Sequence, residues 1–387
     1  MNKKTHRVAV VGCGALAQGA HLPHCQRNPR VELVATCDID AVNAEACRKK
    51  FGAQRAESDW RRVVEARDID LCILCTHTNL RGEFIIPALE SGKAVYTEKP
   101  LAPNFREMTD IVKATRRTGR PVCVGHNRRS SPAVLEFKRL ADKALHGASS
   151  RPPTVNRMEQ RKLLPEEKQL QILMRINDDS RSWKPWIFWD AEGILFAEMV
   201  HFIDLALWLN PGHPVRAFAE GSPRGNFSLL LRFNDGSITT IQHTMVGHFD
   251  YPKELFEATA GFITVGMDQH LEVRQWGMKD EPAQKFFPYA HGCDWAVKQG
   301  MAGYLQELEA EVRQSEKTGK QARWLNVNKG HYEQLDRFLT HLEGGGENPC
   351  PVDGAVAVNR VAMKLLESVR LGLPVAITPE DWHIPEL

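Results

Sequence analysis

The chain has 387 residues, which is enough for two domains of ordinary size. Its 50 Lys and Arg nearly balance its 48 Asp and Glu, so the charge gives no indication of a nucleic-acid partner or of a membrane surface. No uninterrupted apolar run approaches the ~20 residues that a membrane span requires. The nine cysteines, an odd number spread over predicted strands and helices, are typical of reduced thiols, and we expect a cytoplasmic protein.

The first predicted strand, Val8 to Val11, runs directly into a glycine-rich turn and the start of a helix. The turn, Gly12 to Ala17, matches the dinucleotide-binding pattern G-x-G-x-x-G with alanine in place of the third glycine. Gly12 permits the tight turn, and Gly14 lets a pyrophosphate come close to the backbone because it has no Cβ. The free N–H groups of the following helix can then bind the anion. The same stretch imitates a secretory signal, but two glycines interrupt it and its removal would destroy the first strand.

A second predicted strand, Val31 to Cys37, leads into Asp38. A carboxylate at this position can accept hydrogen bonds from both hydroxyls of a ribose and repels a 2′-phosphate. The order strand, glycine turn, helix, strand and acid therefore predicts binding of NAD in preference to NADP.

Strand and helix patterns go on alternating to about residue 125. The predicted helices are Ala41–Phe51, Trp60–Arg67, Leu80–Ser91 and Asn104–Thr118, and the further predicted strands are Asp70–Cys75, Ala94–Thr97 and Pro121–Gly125. Such alternation with short connections predicts a doubly wound parallel sheet, in which ligands bind beyond the carboxyl ends of the strands. The residues at such ends are Gly12, Asp38, Thr76, Lys99 and His126.

The pattern changes after about Ser130, where a predicted helix, Pro132 to Leu145, leads into a linker-like segment, Gly147 to Pro153. Short strand-like runs follow at Thr154–Gln160, Val215–Glu220, Phe227–Phe233, Ser237–Val246, Glu254–Ala260, Phe262–Gly266 and Leu271–Trp276. The segment Asn234-Asp235-Gly236 predicts a hairpin turn between two of them. Helical patterns return over residues 302–317, 329–343 and 355–371.

These patterns predict an α/β protein of two domains. Residues 1–128 form a doubly wound Rossmann domain that binds NAD, and residues 129–387 form an α+β domain on a largely antiparallel sheet. The C-terminal helix can pack back on the first domain.

One predicted helix, Ile194 to Leu209, combines an apolar sequence with three ionisable residues. Glu198, His201 and Asp204 are spaced three apart, so they cluster on one side of the helix. Because burying ionisable groups is costly unless they are paired, this clustering indicates either a catalytic site or a satisfied structural network. For Asp204, and for His201 taken alone, the structural interpretation is the favoured one.

The argument for catalysis comes from Lys99, which follows a predicted strand at the ligand edge of the first domain. A lysine there would lie near the reacting end of a nicotinamide, and the alternative is a solvated surface cation. Oxidation of a secondary alcohol removes the hydroxyl proton while hydride leaves the same carbon. A histidine such as His201 can take the proton near neutral pH, and an ammonium group can stabilise negative charge on the oxygen.

With these residues in view, the chain resembles the Gfo/Idh/MocA oxidoreductases, which include glucose–fructose oxidoreductase and inositol dehydrogenases. The motifs that carry the resemblance are Gly12–Ala17, Glu98-Lys99-Pro100-Leu101-Ala102, Gly125-His126-Asn127-Arg128-Arg129, His201-Phe202-Ile203-Asp204 and Pro351-Val352-Asp353-Gly354. The resemblance implies a nicotinamide cofactor and catalytic roles for Lys99 and His201. It also implies sugars, sugar derivatives or cyclitols as substrates. Finally, it implies a C-terminal domain whose open-faced sheet covers the cofactor and forms homodimers or homotetramers.

The sequence departs from the family pattern around the expected substrate pocket. The family commonly has an Asp four residues before the histidine, where this chain has Ala197. Glu198, one residue later, either replaces that Asp or is structural. The family's T-P-N segment appears as Thr76-His77-Thr78, Arg81 stands where a histidine is common, and a Trp-Arg pair appears as Trp183-Lys184. These changes leave the substrate open.

The candidate site residues follow from the motifs and the resemblance together. The cofactor-binding candidates are Gly12, Gly14, Ala15, Leu16, Asp38, Thr76, His77, Glu98, Lys99 and Asn127. The substrate-binding candidates are Lys99, Arg128, Trp183, Lys184, Trp186, Glu198 and His201, and the catalytic candidates are Lys99, His201 and Glu198. For the tryptophans, core packing competes with stacking on a sugar ring. No cluster has convincing metal-ligand spacing, so we expect no metal.

Three functions are compatible with these residues. The favoured one is NAD-dependent hydride transfer between the nicotinamide and a secondary alcohol of a small sugar-like molecule. The second is a glycosidase that holds NAD tightly and works by transient oxidation, elimination and re-reduction, so that no NADH accumulates. The third is a non-catalytic NAD-binding sensor, for which Ala197 is the only support.

Overall fold

The computed structural model of the protein describes residues 5–151, 169–183, 193–222, 224–291, 298–320 and 325–382. Within them the strands are β1 (His6–Val11), β2 (Val31–Cys37), β3 (Arg55–Glu57), β4 (Leu71–Leu74), β5 (Ala94–Thr97), β6 (Val122–Val124), β7 (Gln171–Asn177), β8 (Pro214–Gly221), β9 (Phe227–Phe233), β10 (Ile238–Thr244), β11 (Glu254–Ala260), β12 (Ile263–Asp268), β13 (Glu272–Trp276), β14 (Gln284–Phe286), β15 (Pro288–His291), β16 (Lys298–Gln299), β17 (Leu325–Val327) and β18 (Val375–Ala376). The α-helices are α1 (Leu22–Arg27), α2 (Ala41–Phe51), α3 (Trp60–Glu65), α4 (Arg81–Glu90), α5 (Phe105–Thr118), α6 (Pro132–His146), α7 (Val200–Leu209), α8 (Met301–Thr318), α9 (His331–Leu342), α10 (Val352–Leu371) and α11 (Pro379–Trp382). Single 3-10 turns occur at Thr78–Leu80, Asn127–Ser130 and Ser180–Ser182, and π-helical turns at Ala17–His21 and Leu195–Met199.

The chain divides into two compact units. The first contains the chain up to Ser130 and again Gly330–Asn359, and the second contains Ser131–Lys329 and Arg360–Trp382. Helix α9 and the first part of α10 thus belong with the first unit. The sequence-based division has a single boundary near residue 128 and allows a C-terminal helix to pack back on the first domain.

The first unit is built around a six-stranded parallel sheet in the order β3-β2-β1-β4-β5-β6. This order confirms the predicted doubly wound sheet, and its switch point lies between β1 and β4. Strands β4 and β5 are buried along their whole length, which explains their continuous apolar sequences. Strand β3 is not predicted because it is short, half-buried and charged at both ends.

Helix caps fix the loops at the carboxyl ends of these strands. The side chain of Asp40 accepts the N–H group of Val42 at 2.9 Å at the start of α2. Asn104 accepts the N–H group of Glu107 at 3.0 Å at the start of α5. An N-cap satisfies backbone donors that have no partner inside the helix. The two caps therefore anchor the loops that follow β2 and β5, where the candidate site residues lie.

The second unit contains a nine-stranded sheet in the order β14-β13-β12-β11-β7-β10-β9-β8-β18. All described pairings in it are antiparallel except that of β7 with β10, which confirms the largely antiparallel sheet. The central strand β7 is missing from the sequence prediction. Its side chains alternate between buried and exposed, but the apolar Leu173 is on the exposed side and hides the alternation. The predicted strand at residues 154–160 lies outside the described residues.

Helices α6 and α7 pack against one face of this sheet. The ring of Phe256 on β11 lies 6.1 Å from that of Phe137 on α6 and 6.2 Å from that of Phe202 on α7. The three rings are at most 3% exposed. Since α7 carries His201 next to Phe202, this packing fixes the helix backbone at the predicted catalytic residue.

The predicted helix Ile194 to Leu209 is not a uniform α-helix. It begins with the π-helical turn Leu195–Met199 and continues as α7. The wider turn changes the direction of Glu198 relative to the spacing expected on an α-helix. No helix in the described part of the chain is long and apolar enough to cross a membrane.

Candidate active site

The glycine turn after β1 has the geometry that a dinucleotide requires. Gly12 has φ of +90°, and a Cβ there would lie 2.8 Å from the carbonyl carbon of Cys75, so both conformation and space call for glycine. Around Gly14, by contrast, no described heavy atom beyond its own chain neighbours lies within 4 Å of where a Cβ would be. Gly14, Ala15 and Leu16 are exposed. This open backbone leaves room for a pyrophosphate, so the residues present fit the NAD that the sequence predicts.

Asp38 joins the glycine turn to the end of β2. Its Oδ2 accepts the N–H group of Cys13 at 2.7 Å and an N–H of the Asn43 side chain at 3.2 Å, and its Oδ1 accepts the N–H group of Asp40 at 3.0 Å. The carboxylate remains partly exposed. Each carboxylate oxygen can accept more than one hydrogen bond, so acceptor capacity remains for ribose hydroxyls.

Arg81 links the loop after β4 to the end of β5. Its Nη2 donates to the carbonyl oxygen of Thr76 at 2.9 Å, and its Nη1 donates to Thr97 Oγ1 and to the carbonyl oxygen of Glu98. The side chain is 2% exposed, and burial lowers the pKa of the guanidinium to about 10, so it is still charged at neutral pH. Arg81, which departs from the family pattern in the sequence, thus contacts residues that follow two neighbouring strands.

Glu98 is buried together with His21, the last residue of the first π-helical turn. Glu98 Oε1 lies 2.8 Å from His21 Nε2, and the two residues are 6% and 1% exposed. Burial by itself would raise the pKa of the Glu98 carboxyl, but the hydrogen bond and charge of His21 outweigh it and hold the pKa at about 2. Burial opposes charge on His21 as well, yet Cys75 and Glu98 raise the pKa of the imidazole above its ordinary value. The two side chains therefore form an ion pair at neutral pH.

Lys99 follows this pair and is partly exposed. The other polar candidates of the first unit differ in exposure. Asn127 and Arg128 lie in the 3-10 turn after β6 and are 1% and 4% exposed, whereas His77 is exposed. Asn127 Nδ2 lies 3.5 Å from His331 Nδ1 on α9. The ligand contacts of these residues stay predictions.

In the second unit, the helix that begins at the second π-helical turn carries its ionisable residues inward. Glu198, His201 and Asp204 are 7%, 5% and 0% exposed. Burying an ionisable side chain is costly unless it is paired, so each of these three residues requires a partner.

Glu198 is ion-paired with Lys253, a residue that sequence analysis does not single out. Lys253 Nζ lies 3.0 Å from Glu198 Oε1 and 2.8 Å from Asp178 Oδ1, so one ammonium group links two carboxylates. The ammonium also lies 5.5 Å from the ring centroid of Trp183, whose Nε1 donates to Asp178 Oδ1 at 3.3 Å. We call Glu198, Lys253, Asp178 and Trp183, with His243, the Lys253 cluster.

His243 completes the Lys253 cluster from β10. Its Nδ1 lies 2.6 Å from the carbonyl oxygen of Gly225, and its Nε2 lies 3.4 Å from Asp178 Oδ2. A carbonyl oxygen accepts only, so Nδ1 carries the proton and donates it. Its Nε2 faces Asp178, and Lys253 at 2.8 Å is the closer cationic group to this fully buried carboxylate.

Two of the predicted site residues, Lys184 and Trp186, lie outside the described residues. The residues that sequence analysis missed are Asp178, Lys253 and His21. None of them belongs to a recognisable motif, and the role of each depends on a partner from a distant segment. The sequence offers one general signal. A buried carboxylate requires a cation, so Glu198 is expected to have a cationic partner, but the rule does not identify that residue.

Residues 6–126 match the sequence model of the GFO_IDH_MocA family, described as an oxidoreductase family with an NAD-binding Rossmann fold. This segment therefore carries the NAD-binding Rossmann domain of the Gfo/Idh/MocA oxidoreductases. The matched segment contains the glycine turn, Asp38 and the Glu98-Lys99-Pro100 motif. The resemblance given by the motifs is thereby confirmed.

Known proteins similar to this chain extend the match beyond the first unit. An uncharacterised oxidoreductase of Bacillus subtilis, YrbE, is 22% identical over 381 residues, which cover 95% of each chain. Inositol 2-dehydrogenase 4 of Saccharopolyspora erythraea is 28% identical over 244 residues, which cover 62% of this chain and 64% of that protein. Among solved structures, an oxidoreductase from Agrobacterium radiobacter in complex with NAD⁺, L-tartaric acid and magnesium aligns with a TM-score of 0.73 and 14% identity, covering 96% of this chain and 98% of that one. This likeness shows the shared α/β two-domain fold. The family match, whose model is that of an oxidoreductase with an NAD-binding Rossmann fold, shows an NAD-binding oxidoreductase.

Proposed function

We propose that the protein is a dehydrogenase that transfers hydride between NAD and a secondary alcohol of a sugar, sugar derivative or cyclitol. The observation that carries the proposal is Lys99, which follows β5 at the ligand edge of an NAD-binding sheet, in a chain similar to inositol dehydrogenases. A small polyol offers hydroxyl groups to a site rich in charged acceptors and donors. The Lys253 cluster and the buried His201 supply such groups in the second unit.

NAD, held by the glycine turn after β1 and by Asp38, would supply the hydride acceptor for this chemistry. His201 takes the hydroxyl proton of the substrate, which is a task suited to an imidazole near neutral pH. The ammonium group of Lys99 orients the substrate oxygen and stabilises negative charge that develops on it. Glu198 assists by accepting a hydrogen bond, and its ion pair with Lys253 holds the carboxylate in place.

The experiment is a panel of myo-inositol, scyllo-inositol, free sugars and sugar derivatives, with NAD and the absorbance of NADH as readout. Lys99→Ala and His201→Ala should each lower turnover of the active substrate by roughly 100-fold or more, since a positioned acid or base contributes that much. The matched control is Lys113→Ala on the exposed side of α5, which should leave turnover unchanged. Turnover within a few-fold of the native chain in either Lys99→Ala or His201→Ala would refute the assignment, as would inactivity of the native chain on the whole panel.

The glycosidase alternative is not favoured by the described site or by the relatives named above. It predicts cleavage of a glycoside without accumulation of NADH, so the same panel, extended to aryl glycosides, separates the two chemistries. NADH formation without cleavage is the result we expect.

We further propose a cytoplasmic homodimer or homotetramer that associates through one face of the nine-stranded sheet, the face opposite to helices α6 and α7. The eight cysteines of the described residues are all free thiols, in keeping with a reducing compartment. The sheet and its turns expose large apolar side chains, of which Leu173, Phe262, Trp276 and Phe286 are 43%, 59%, 50% and 45% exposed. Exposed apolar groups of this size indicate a surface that another chain covers. Sedimentation velocity tests the proposal, and a monomer at every concentration would contradict it.

A further inference from the structure

Glu98, which forms an ion pair with His21, immediately precedes the proposed catalytic lysine, Lys99. Both its side chain and its backbone are hydrogen-bonded. Glu98 is held at both ends: its carboxylate by His21 and its carbonyl oxygen by the guanidinium of Arg81. Its own N–H group donates to the carbonyl oxygen of Leu74 at 3.0 Å, within the sheet. These contacts hold both the backbone and the side chain of the residue that precedes Lys99.

A missing side chain on the neighbouring strand end provides the space for the carboxylate. A Cβ on Gly125 would lie 2.8 to 3.0 Å from the Oε2, Cδ and Oε1 atoms of Glu98. Gly125 does not have a positive φ, so its backbone conformation does not demand glycine. The close approach of the Glu98 carboxylate is the reason that the structure gives for glycine at this position.

The imidazole of His21 is equally constrained. It ends the π-helical turn Ala17–His21, which directly follows the NAD-binding glycine turn. Its ring lies edge-on to Tyr96 at 5.2 Å and to His331 at 6.5 Å. The charged groups that act on Glu98 are thus His21, His331 and Lys99, together with Arg81 on its carbonyl.

We propose that His21, Glu98 and Gly125 are positioning residues for Lys99. The ion pair with His21 fixes the backbone at Glu98, and Gly125 leaves the space that the Glu98 carboxylate occupies. The Lys99 side chain extends from this backbone, beside the negative charge of Glu98, toward the substrate oxygen. This inference rests on the proposed function, because it gives the arrangement a purpose only if Lys99 acts on the substrate. It also links the glycine turn, through the helix that begins there, to the catalytic lysine.

The test reads Lys99 directly and does not need a substrate. Trace labelling of the full-length protein with acetic anhydride, followed by mass spectrometry, gives the pH midpoint and the rate of acetylation for each lysine. In Glu98→Gln, which keeps the size of the side chain and removes its charge, we expect the Lys99 midpoint to fall by about half a pH unit or more, because a nearby anion favours the ammonium form. Lys113 serves as the internal control and should label as in the native chain.

Two further variants separate positioning from stability. Gly125→Ala keeps both charges but displaces the carboxylate, and it should also change the labelling of Lys99; it is the variant to read if Glu98→Gln does not fold. His21→Gln leaves the Glu98 carboxylate without its cation, so it should shift the Lys99 midpoint in the direction opposite to Glu98→Gln. A purely structural pair would lower the melting temperature and leave Lys99 labelling unchanged in the folded variants, and that result would overturn the inference.

The outcome is distinguishable from failure of the proposed function. If Lys99→Ala is inactive while Glu98→Gln and Gly125→Ala label at Lys99 like the native chain, only the positioning role is wrong. If Lys99→Ala retains full turnover, the proposed mechanism fails whatever the labelling shows.

Discussion

Replacing Lys253 by methionine should destabilise the second unit strongly. In the Lys253 cluster, one ammonium group lies within 3.0 Å of both Asp178 and Glu198, whose side chains are 0% and 10% exposed. Methionine fills a similar volume but leaves two buried carboxylates without this cation. Removing one partner of a buried ion pair costs about 3–5 kcal/mol, and we expect the lower end because Lys253 itself is 15% exposed. For a unit of this size, about 3 kcal/mol corresponds to a fall of roughly 6–12 °C in melting temperature.

Scanning calorimetry measures this shift, and hydrogen exchange of peptides from β7 and β11 locates it, because Lys253 immediately precedes β11. The matched control is Lys298→Met. Lys298 also pairs with a carboxylate, that of Glu307 at 2.6 Å, but its side chain is 51% exposed, and exposed pairs contribute about 0–1 kcal/mol. NAD affinity should be unchanged in both variants, since the NAD-binding turn belongs to the other unit. If the two variants lower the melting temperature equally, the buried ion pairs of Lys253 contribute no more to stability than the exposed pair of Lys298.

Three substitutions test the cofactor site. Gly12→Ala should lower the free energy of unfolding by about 1–3 kcal/mol, because φ is +90° and the new Cβ would meet the carbonyl carbon of Cys75 at 2.8 Å; unfolding at the native midpoint would refute this. Gly14→Ala should unfold like the native chain but bind NAD more weakly by calorimetric titration, since its Cβ meets no protein atom within 4 Å and occupies the open approach. Asp38→Asn keeps an acceptor for the N–H group of Cys13 and removes the negative charge, so the ratio of NADP to NAD affinity should rise; an unchanged ratio would contradict the predicted role of Asp38.

Five of the six strands of the first sheet could be predicted from the sequence because most of their residues are buried and apolar, whereas the half-buried β3 was missed. The second sheet was predicted in part. Strands β9 and β11 alternate regularly between buried and exposed residues, and their predicted bounds agree with the structure. Strand β7 carries an apolar residue, Leu173, on its exposed side, so local alternation does not reveal it. Its pairing with β10 joins distant segments, and no local pattern encodes such a contact.

The residues of the candidate site also divide into those defined by local sequence and those defined by contacts between distant segments. Residues that act through the local backbone, such as Gly12 and Asp38, could be found because a turn and a strand end have sequence signatures. Residues that act through a distant partner could not. The burial of Glu198 predicts a compensating cation, but nothing in the sequence distinguishes Lys253 from the other lysines. The partner is defined only when β11 is brought beside the π-helical turn.

The two π-helical turns point to a common arrangement in the two units. One ends at His21 and pairs it with Glu98, and the other contains Glu198 and pairs it with Lys253. A π-helical turn has poorer backbone geometry than an α-helix and is found mostly as a single turn, often at functional sites. In each unit the turn thus carries a side chain that forms a buried ion pair with another segment. The same pairs lie beside the two proposed catalytic residues, Lys99 and His201, so local irregularity, buried charge and proposed chemistry coincide in each unit.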